Sequence, residues 1–140
     1  MSENATSIQY KDVAVGDALP EQKIDITSSL VVGGALASQD FTPVHHDRGA
    51  AQASGMTDVF MNILTTNGLC ERFVTDWAGV DARVKNVSIK LGTPNVPGET
   101  MVMTGAVTER DDAESAVVVE LTGKNAWGNH VTGTIKVALP

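Results

Sequence analysis

Two side chains that could exchange protons with a substrate stand five positions apart in the first half of the chain. Asp40 and His45 lie on either side of Pro43, within the segment LASQDFTPVHHDRGAA. Proline lacks a backbone donor and biases the residue before it towards an extended conformation, so this segment cannot be a continuous helix. We expect a stiff, irregular turn on which a carboxylate and an imidazole share one water, which suits general acid–base chemistry near neutral pH.

The same residue types are also common in solvated loops, and their spacing alone does not decide between the two interpretations. Asp47 could cap a short helix over residues 48–54 equally well as take part in chemistry. His46 is expected to face solvent. A metal site built from His45, His46 and Asp47 is not expected, because adjacent side chains project in different directions.

Length and composition set broad limits on the class of protein. A chain of 140 residues with 42% hydrophobic and 19% charged residues is expected to form one domain spanning 1–140. Its net charge of −7 argues against a nucleic-acid partner.

No apolar run in the sequence is long enough for a membrane span. Residues 1–10 are polar and lack the pattern of a secretory signal, and we expect them to be loosely docked. A single cysteine, Cys70, excludes an internal disulfide and favours a cytoplasmic location with a buried packing role for the thiol.

The first half of the chain predicts one strand and one long helix. From Lys23 to Val32, isoleucines alternate with polar neighbours and a further apolar run follows, so we expect a strand that ends at Gly33 and Gly34. Apolar residues then recur at steps of three and four across Val59–Trp77, which predicts a buried helix.

We expect that helix to open at Thr57 or Asp58 and to end near Gly79. Gly68 in its interior costs about 1 kcal/mol relative to alanine, which suggests a close backbone contact there.

The second half of the chain predicts four strands joined by short turns. Their alternating apolar positions are Val87, Ile89, Leu91, Met101, Met103, Val107, Val117, Val119, Leu121, Val131, Ile135, Val137 and Leu139. Consecutive hairpins imply an antiparallel sheet, and a helix this apolar must be covered by it. The predicted class is α+β, an antiparallel β-sheet wrapped around one long central helix, which is the hot dog fold.

Several longer blocks carry a resemblance to a known family. The residues of the turn resemble the motif of the MaoC-like (R)-specific enoyl-CoA hydratases at Asp40, Thr42, Pro43, Val44, His45 and Asp47. The further blocks VFMNILTTNGL, ERFVTDWAG and SIKLGTPNVPGETM look like the small, catalytic subunit of the two-subunit steroid side-chain enoyl-CoA hydratases of cholesterol-degrading actinobacteria.

The resemblance implies a function for each candidate residue. Asp40 and His45 would add water to the α,β double bond of a steroid side-chain acyl-CoA, through one bound water and with syn geometry. The resembled hydratases use a glycine N–H near the helix start to stabilise the thioester oxygen, and Asn62 occupies the corresponding position here. A residue other than proline has a backbone N–H, so the donor can survive this substitution.

The resemblance also implies partners. A second, larger MaoC-like subunit would complete an α2β2 heterotetramer, and an aldolase is a further candidate partner. No separate cofactor is expected, since coenzyme A is part of the substrate. Two alternatives stay open: a stand-alone hydratase of medium-chain enoyl-CoA that uses the same two residues, and a non-catalytic hot dog subunit that completes a partner's site.

Overall fold

A five-stranded antiparallel sheet forms one layer of the structure. The computed structural model describes residues 6–140. The strands are β1 (Gln22–Asp25), β2 (Arg83–Leu91), β3 (Thr100–Asp111), β4 (Ala116–Asn125) and β5 (Gly128–Ala138). Their spatial order is β1-β3-β4-β5-β2. Consecutive hairpins join β3, β4 and β5, whereas β2 pairs along the far side of β5.

Within the described residues, three helices accompany the sheet. They are α1 (Ser28–Ala37), α2 (Arg48–Ala53) and α3 (Ile63–Ala78), with short 3₁₀ turns at Tyr10–Asp12 and Pro43–His45. The buried face of α3, which includes Leu69, Phe73 and Val74, belongs to one hydrophobic core with the inner face of the sheet. This arrangement confirms the predicted hot dog fold, because the sheet covers the apolar face that α3 cannot expose to water.

The strand pattern could be predicted where burial alternates along the strand, as it does in β4 from Val117 onward. In β4, Val117, Val119 and Leu121 are almost completely buried, whereas Glu120 between them is exposed. Cys70 lies in the same core at 0% exposure, and burial raises the pKa of its thiol to about 12. The predicted packing role of this cysteine is therefore confirmed.

The prediction of a strand from Lys23 to Val32 was wrong in its second half. Strand β1 ends at Asp25, and the side chain of Thr27 then accepts a hydrogen bond from the Leu30 N–H as the N-cap of α1. The buried positions of α1 are Val31 and Ala35, four residues apart as in a helix. A short apolar run has no clear period, so packing against α3 decided its structure.

Gly33 and Gly34, which were expected to end the first strand, belong to α1 instead. At Gly34 an added Cβ would lie 2.2 Å from the Oγ1 atom of Thr65 on α3. Gly34 is thus the residue that lets α1 and α3 approach closely. Gly33 has open space around it.

The long helix begins later than the sequence predicted. Residues Val59 and Met61 are buried but precede the helix, whose N-cap is Asn62 in an extended conformation. Its end at Gly79 is confirmed, with φ +94° at that glycine. The close contact expected at Gly68 was wrong, since an added Cβ there would meet no atom within 4 Å.

The N-terminal segment is attached where the structure describes it. Ile8 donates its N–H to the Ala78 carbonyl, and Tyr10 donates to the Pro140 carbonyl. The expectation of a loosely docked segment also concerned residues 1–5, which lie outside the described residues. Across 6–140, no helix combines the length and apolar character needed to cross a bilayer.

Candidate active site

The end of α1 places Asp40. The Asp40 N–H donates to the Ala35 carbonyl at 2.9 Å and the Gln39 N–H donates to the Leu36 carbonyl at 3.0 Å, the two hydrogen bonds of a Schellman motif. Gln39 takes the left-handed position with φ +59°, where glycine is usual. Asp40 is therefore held by the backbone directly after the helix end.

A 3₁₀ turn places His45. Pro43 begins this turn after the extended Thr42, as the sequence predicted, and the imidazole is buried with 8% of the residue exposed. His45 Nδ1 lies 2.6 Å from the Phe60 carbonyl oxygen, and the two rings pack edge to face with centroids 4.9 Å apart. A carbonyl only accepts hydrogen bonds, so Nδ1 carries a hydrogen, and the neutral form of the ring presents a lone pair at Nε2.

The structure brings the two predicted residues together. His45 Nε2 lies 3.4 Å from Asp40 Oδ2, and the Asp40 side chain remains 24% exposed. Asp40 Oδ1 accepts hydrogen bonds from the N–H and the hydroxyl of Thr42, whereas Oδ2 accepts one from the Asn62 carboxamide. The Thr42 hydroxyl, followed by the Asn62 carboxamide, lowers the pKa of the Asp40 carboxyl below its usual value, so the group is a carboxylate at neutral pH.

Asn62 lies at the N-terminus of α3, as the family resemblance implied. Its side chain has a role that the sequence did not predict. Its Nδ2 donates to Asp40 Oδ2 at 3.1 Å and to Ser38 Oγ at 2.9 Å. Its backbone N–H donates to no acceptor among the described residues. An Asn followed three residues later by Thr, before an apolar helix, is an N-cap signal that could have revealed the helix start.

The loop between α2 and α3 is held by charged side chains. Asp47 accepts a hydrogen bond from the Ala50 N–H as the N-cap of α2, which is the capping alternative that the sequence left open. Arg48 forms a two-pronged ion pair with Asp58, with N–O distances of 3.1 and 3.2 Å. The predicted exposure of His46 is also confirmed.

A second histidine is buried beside α3, and sequence reasoning missed it. His130 is 2% exposed. Its Nδ1 lies 2.7 Å from the Thr93 carbonyl oxygen, and its Nε2 lies 2.9 Å from the Thr66 hydroxyl. Burial lowers the pKa of this histidine, although the hydrogen bond to Thr93 opposes the shift. The neutral ring therefore accepts the Thr66 hydrogen.

Apolar side chains flank the Asp40–His45 pair without being covered. Phe41, next to Asp40, is 65% exposed, and Ile63 and Leu64, directly after Asn62, are 48% and 51% exposed. Exposed apolar side chains thus follow Asp40 and Asn62 directly in the sequence, and we call this group the apolar rim (Phe41, Ile63 and Leu64).

An antiparallel sheet around one helix, with an aspartate and a histidine facing each other beside the N-terminus of that helix, defines a hot dog domain equipped for acid–base chemistry. The MaoC-like domain model matches residues 13–129, and the chain belongs to this family.

Solved and named relatives agree with that assignment. The chain is 42% identical over 125 residues to the beta subunit of 3-oxo-4,17-pregnadiene-20-carboxyl-CoA hydratase from Mycobacterium tuberculosis, covering 89% of this chain and 95% of that protein. The ChsH1–ChsH2 complex from the same organism contains a chain with a TM-score of 0.88 and 42% identity, which covers 91% of this chain and 98% of its own.

A more distant structure shows the fold alone. The (R)-hydratase from A. caviae involved in PHA biosynthesis has a TM-score of 0.84 at 19% identity, over 93% of this chain and 99% of its own. Together the comparisons confirm the prediction of a MaoC-like hydratase similar to steroid acyl-CoA hydratase subunits.

Proposed function

We propose that this chain is the acid–base subunit of a hydratase that adds water to the double bond of a steroid side-chain enoyl-CoA, with Asp40 and His45 as its catalytic residues. The observation that carries the proposal is the 3.4 Å approach of His45 Nε2 to Asp40 Oδ2, with the hydrogen of the neutral ring held on Nδ1 by the Phe60 carbonyl. In this arrangement His45 Nε2 and Asp40 Oδ2 can both accept a hydrogen bond from the same water.

The geometry supports a defined role for one water. A water that donates its two hydrogens to Asp40 Oδ2 and His45 Nε2 turns the lone pairs of its oxygen away from the pair, towards the substrate. As the oxygen bonds to the β carbon, the pair accepts one proton and returns one proton to the α carbon from the same face. The substrate gains H and OH, and both side chains recover their starting protonation states.

The charge that develops on the thioester oxygen needs a donor in a dry site. The backbone N–H of Asn62 and the first turn of α3 supply donors and the positive end of the helix dipole. We therefore retain Asn62 as the proposed backbone donor. Its side chain is turned to Asp40 and Ser38, which leaves the backbone group available for this separate task.

The named relatives support the proposed substrate and partner. A protein 42% identical over 89% of this chain is called the beta subunit of a steroid carboxyl-CoA hydratase, and the similar solved chain is part of a two-protein complex. The exposed apolar rim supports a second subunit that covers it and contributes the rest of the substrate pocket. The assembly we propose is an α2β2 heterotetramer in the cytoplasm, without a separate cofactor or metal, and an aldolase is a candidate consumer of the tertiary alcohol product.

Turnover by the co-expressed pair of subunits tests the proposal. We expect hydration of a steroid enoyl-CoA, and losses of about 10²- to 10⁴-fold in kcat for Asp40→Asn and for His45→Asn. His46→Asn is the matched control, since it changes the exposed neighbouring histidine and should retain the rate.

Two other results would overturn parts of the proposal. Rapid hydration of crotonyl-CoA by the chain alone would indicate a stand-alone hydratase. An assembled enzyme whose rate is unaffected by Asp40→Asn would make this chain a non-catalytic subunit.

A further inference from the structure

We propose that Asn62 is a positioning residue that ties the Asp40 carboxylate to the first turn of α3, so that the acid–base pair and the helix N-terminus move as one unit. This inference rests on the proposed function and extends it to a side chain that touches neither substrate nor water in the mechanism above. It is distinct from the backbone N–H of the same residue.

The Asn62 carboxamide uses all of its hydrogen-bonding capacity. Oδ1 accepts from the Thr65 N–H at 3.2 Å and from the Thr65 hydroxyl at 2.5 Å. Nδ2 donates to Ser38 Oγ at 2.9 Å and to Asp40 Oδ2 at 3.1 Å. A backbone N–H can only donate, so Oδ1 must face Thr65 and Nδ2 must face Asp40. At 2% exposure, water cannot easily replace these four partners.

The two oxygens of Asp40 are held by different parts of the molecule. Oδ1 accepts hydrogen bonds from Thr42, which lies two residues away on the same turn, so these bonds move with the turn. Oδ2 is bonded to Asn62, 22 residues away on the N-cap of α3. The bond to Asn62 therefore relates the reacting oxygen to the helix, and the bond to Thr42 does not.

The end of α1 completes the contact. Ser38 accepts from Asn62 and donates its hydroxyl hydrogen back to the Gly34 carbonyl at 2.8 Å. Gly34 in turn leaves the space that the Thr65 side chain fills. The close crossing of α1 and α3 thus places Ser38, Asn62 and Asp40 within reach of one another.

The substitution Asn62→Asp separates the capping role of the side chain from its role as a donor to Asp40. The new side chain can still accept from the Thr65 N–H and cap the helix. In place of the Nδ2 donor, however, it directs a second carboxylate at Asp40 Oδ2. The titratable group that faces Asp40 in the present structure is His45, whereas Thr42, Ser38 and Asn62 are uncharged. Asn62→Asp should therefore raise the pKa of Asp40 by charge repulsion and loss of a donor.

The test compares Asn62→Asp with Asn67→Asp in the assembled two-subunit enzyme. Asn67 lies five residues further along α3 and donates to the Ile63 carbonyl, so its variant makes the same chemical change away from Asp40. For Asn62→Asp we expect the acid limb of the kcat–pH profile to move up by about one unit or more, and kcat at neutral pH to fall by roughly 10- to 100-fold. Asn67→Asp should melt close to the wild type, whereas Asn62→Asp should melt lower, because it buries a second carboxylate at a position that is 2% exposed.

Asn62→Ser supplies a second variant that keeps a capping oxygen without adding charge. It should lower kcat without the large upward shift of the acid limb, because it loses only the donor. Wild-type kcat and pH profiles in both Asn62 variants would overturn the inference, and so would equal effects of Asn62→Asp and Asn67→Asp.

Failure of the proposed function would be visible separately. In that case the wild-type assembly would show no hydration, or Asp40→Asn would have no effect. The hydrogen bond from Asn62 to Asp40 can then be tested by NMR titration of the Asp40 carboxyl in the same assembly. A higher pKa of Asp40 in Asn62→Asp than in Asn67→Asp supports the positioning role of Asn62, and identical titrations exclude it.

Discussion

Two buried histidines have the same backbone anchor and different surroundings. In each, Nδ1 lies against a carbonyl oxygen, Phe60 for His45 at 2.6 Å and Thr93 for His130 at 2.7 Å. At His45 the other nitrogen faces a partly exposed carboxylate, whereas at His130 it faces the hydroxyl of Thr66 in the core. The anchor selects the tautomer in both rings, and the group facing Nε2 decides whether the ring can exchange protons with a substrate.

The largest expected contrast is between His45→Asn and His130→Asn, each of which retains a donor near the Nδ1 position. His45→Asn should lower kcat by about 10²- to 10⁴-fold with little change in melting temperature. His130→Asn should leave the Thr66 hydroxyl without its partner and destabilise the fold by about 1–3 kcal/mol. Steady-state kinetics and urea unfolding would measure the two effects, and a catalytic defect confined to His130→Asn would refute the comparison.

Gly34→Ala should disturb the His45 side of the molecule and leave the His130 side intact. The new Cβ would meet Thr65 Oγ1 at 2.2 Å, and overpacking of this kind costs about 1–3 kcal/mol. Because Thr65 contacts Asn62, kcat should fall as well.

The double variant Gly34→Ala/Thr65→Ala provides the check on this cause, since it removes the clashing atoms. It should recover part of the lost free energy of unfolding. If the free energies of unfolding lost in the two single variants simply add in the double variant, the clash is not responsible.

The pH dependence of stability should separate His130 from Asp40. The pKa of His130 is lowered in the folded state, so the unfolded chain takes up a proton that the folded chain refuses. Its contribution to stability is present above the unfolded pKa of 6.5 and is lost as pH falls from there towards the folded value. Unfolding measured between pH 7.5 and 5.5 should show a smaller slope in His130→Asn than in the wild type.

The contribution of Asp40 to stability changes at lower pH than that of His130. The pKa of the Asp40 carboxyl in the folded protein lies below its ordinary value of 3.8, so its contribution to stability is present above that pH and is lost as pH falls through the folded value. Asp40→Asn should therefore leave the slope between pH 7.5 and 5.5 unchanged.

The smallest expected effect lies on the exposed face of α3, away from both histidines. Gly68 has open space around it, so Gly68→Ala should stabilise the protein by about 0.5–1 kcal/mol through helix propensity. Differential scanning calorimetry should show a higher melting temperature with an unchanged kcat. A lower melting temperature would indicate a contact at Gly68 that the single chain does not show.

Local signals explain which elements could be predicted. The capping role of Asp47, the helix end at Gly79 and the alternation of the later strands all depend on residues close in sequence. Helix α1 was missed because its short apolar run has no clear period and packing against α3 decided its structure. Its end carried no glycine signal either, since Gln39 occupies the left-handed position. The start of α3 was misplaced because Val59 and Met61 are buried outside the helix and imitate its period.

Chain order alone determined the strand–helix–strand pattern and the pair of proton-exchanging groups around Pro43. Tertiary packing decided everything that depends on residues distant in the chain: the close crossing of α1 and α3, the bond from Asn62 to Asp40 and the burial of His130 against Thr66. The physical reason is that hydrogen-bond partners and solvent exposure are properties of neighbours in space, which a linear pattern specifies only where those neighbours are also close in sequence.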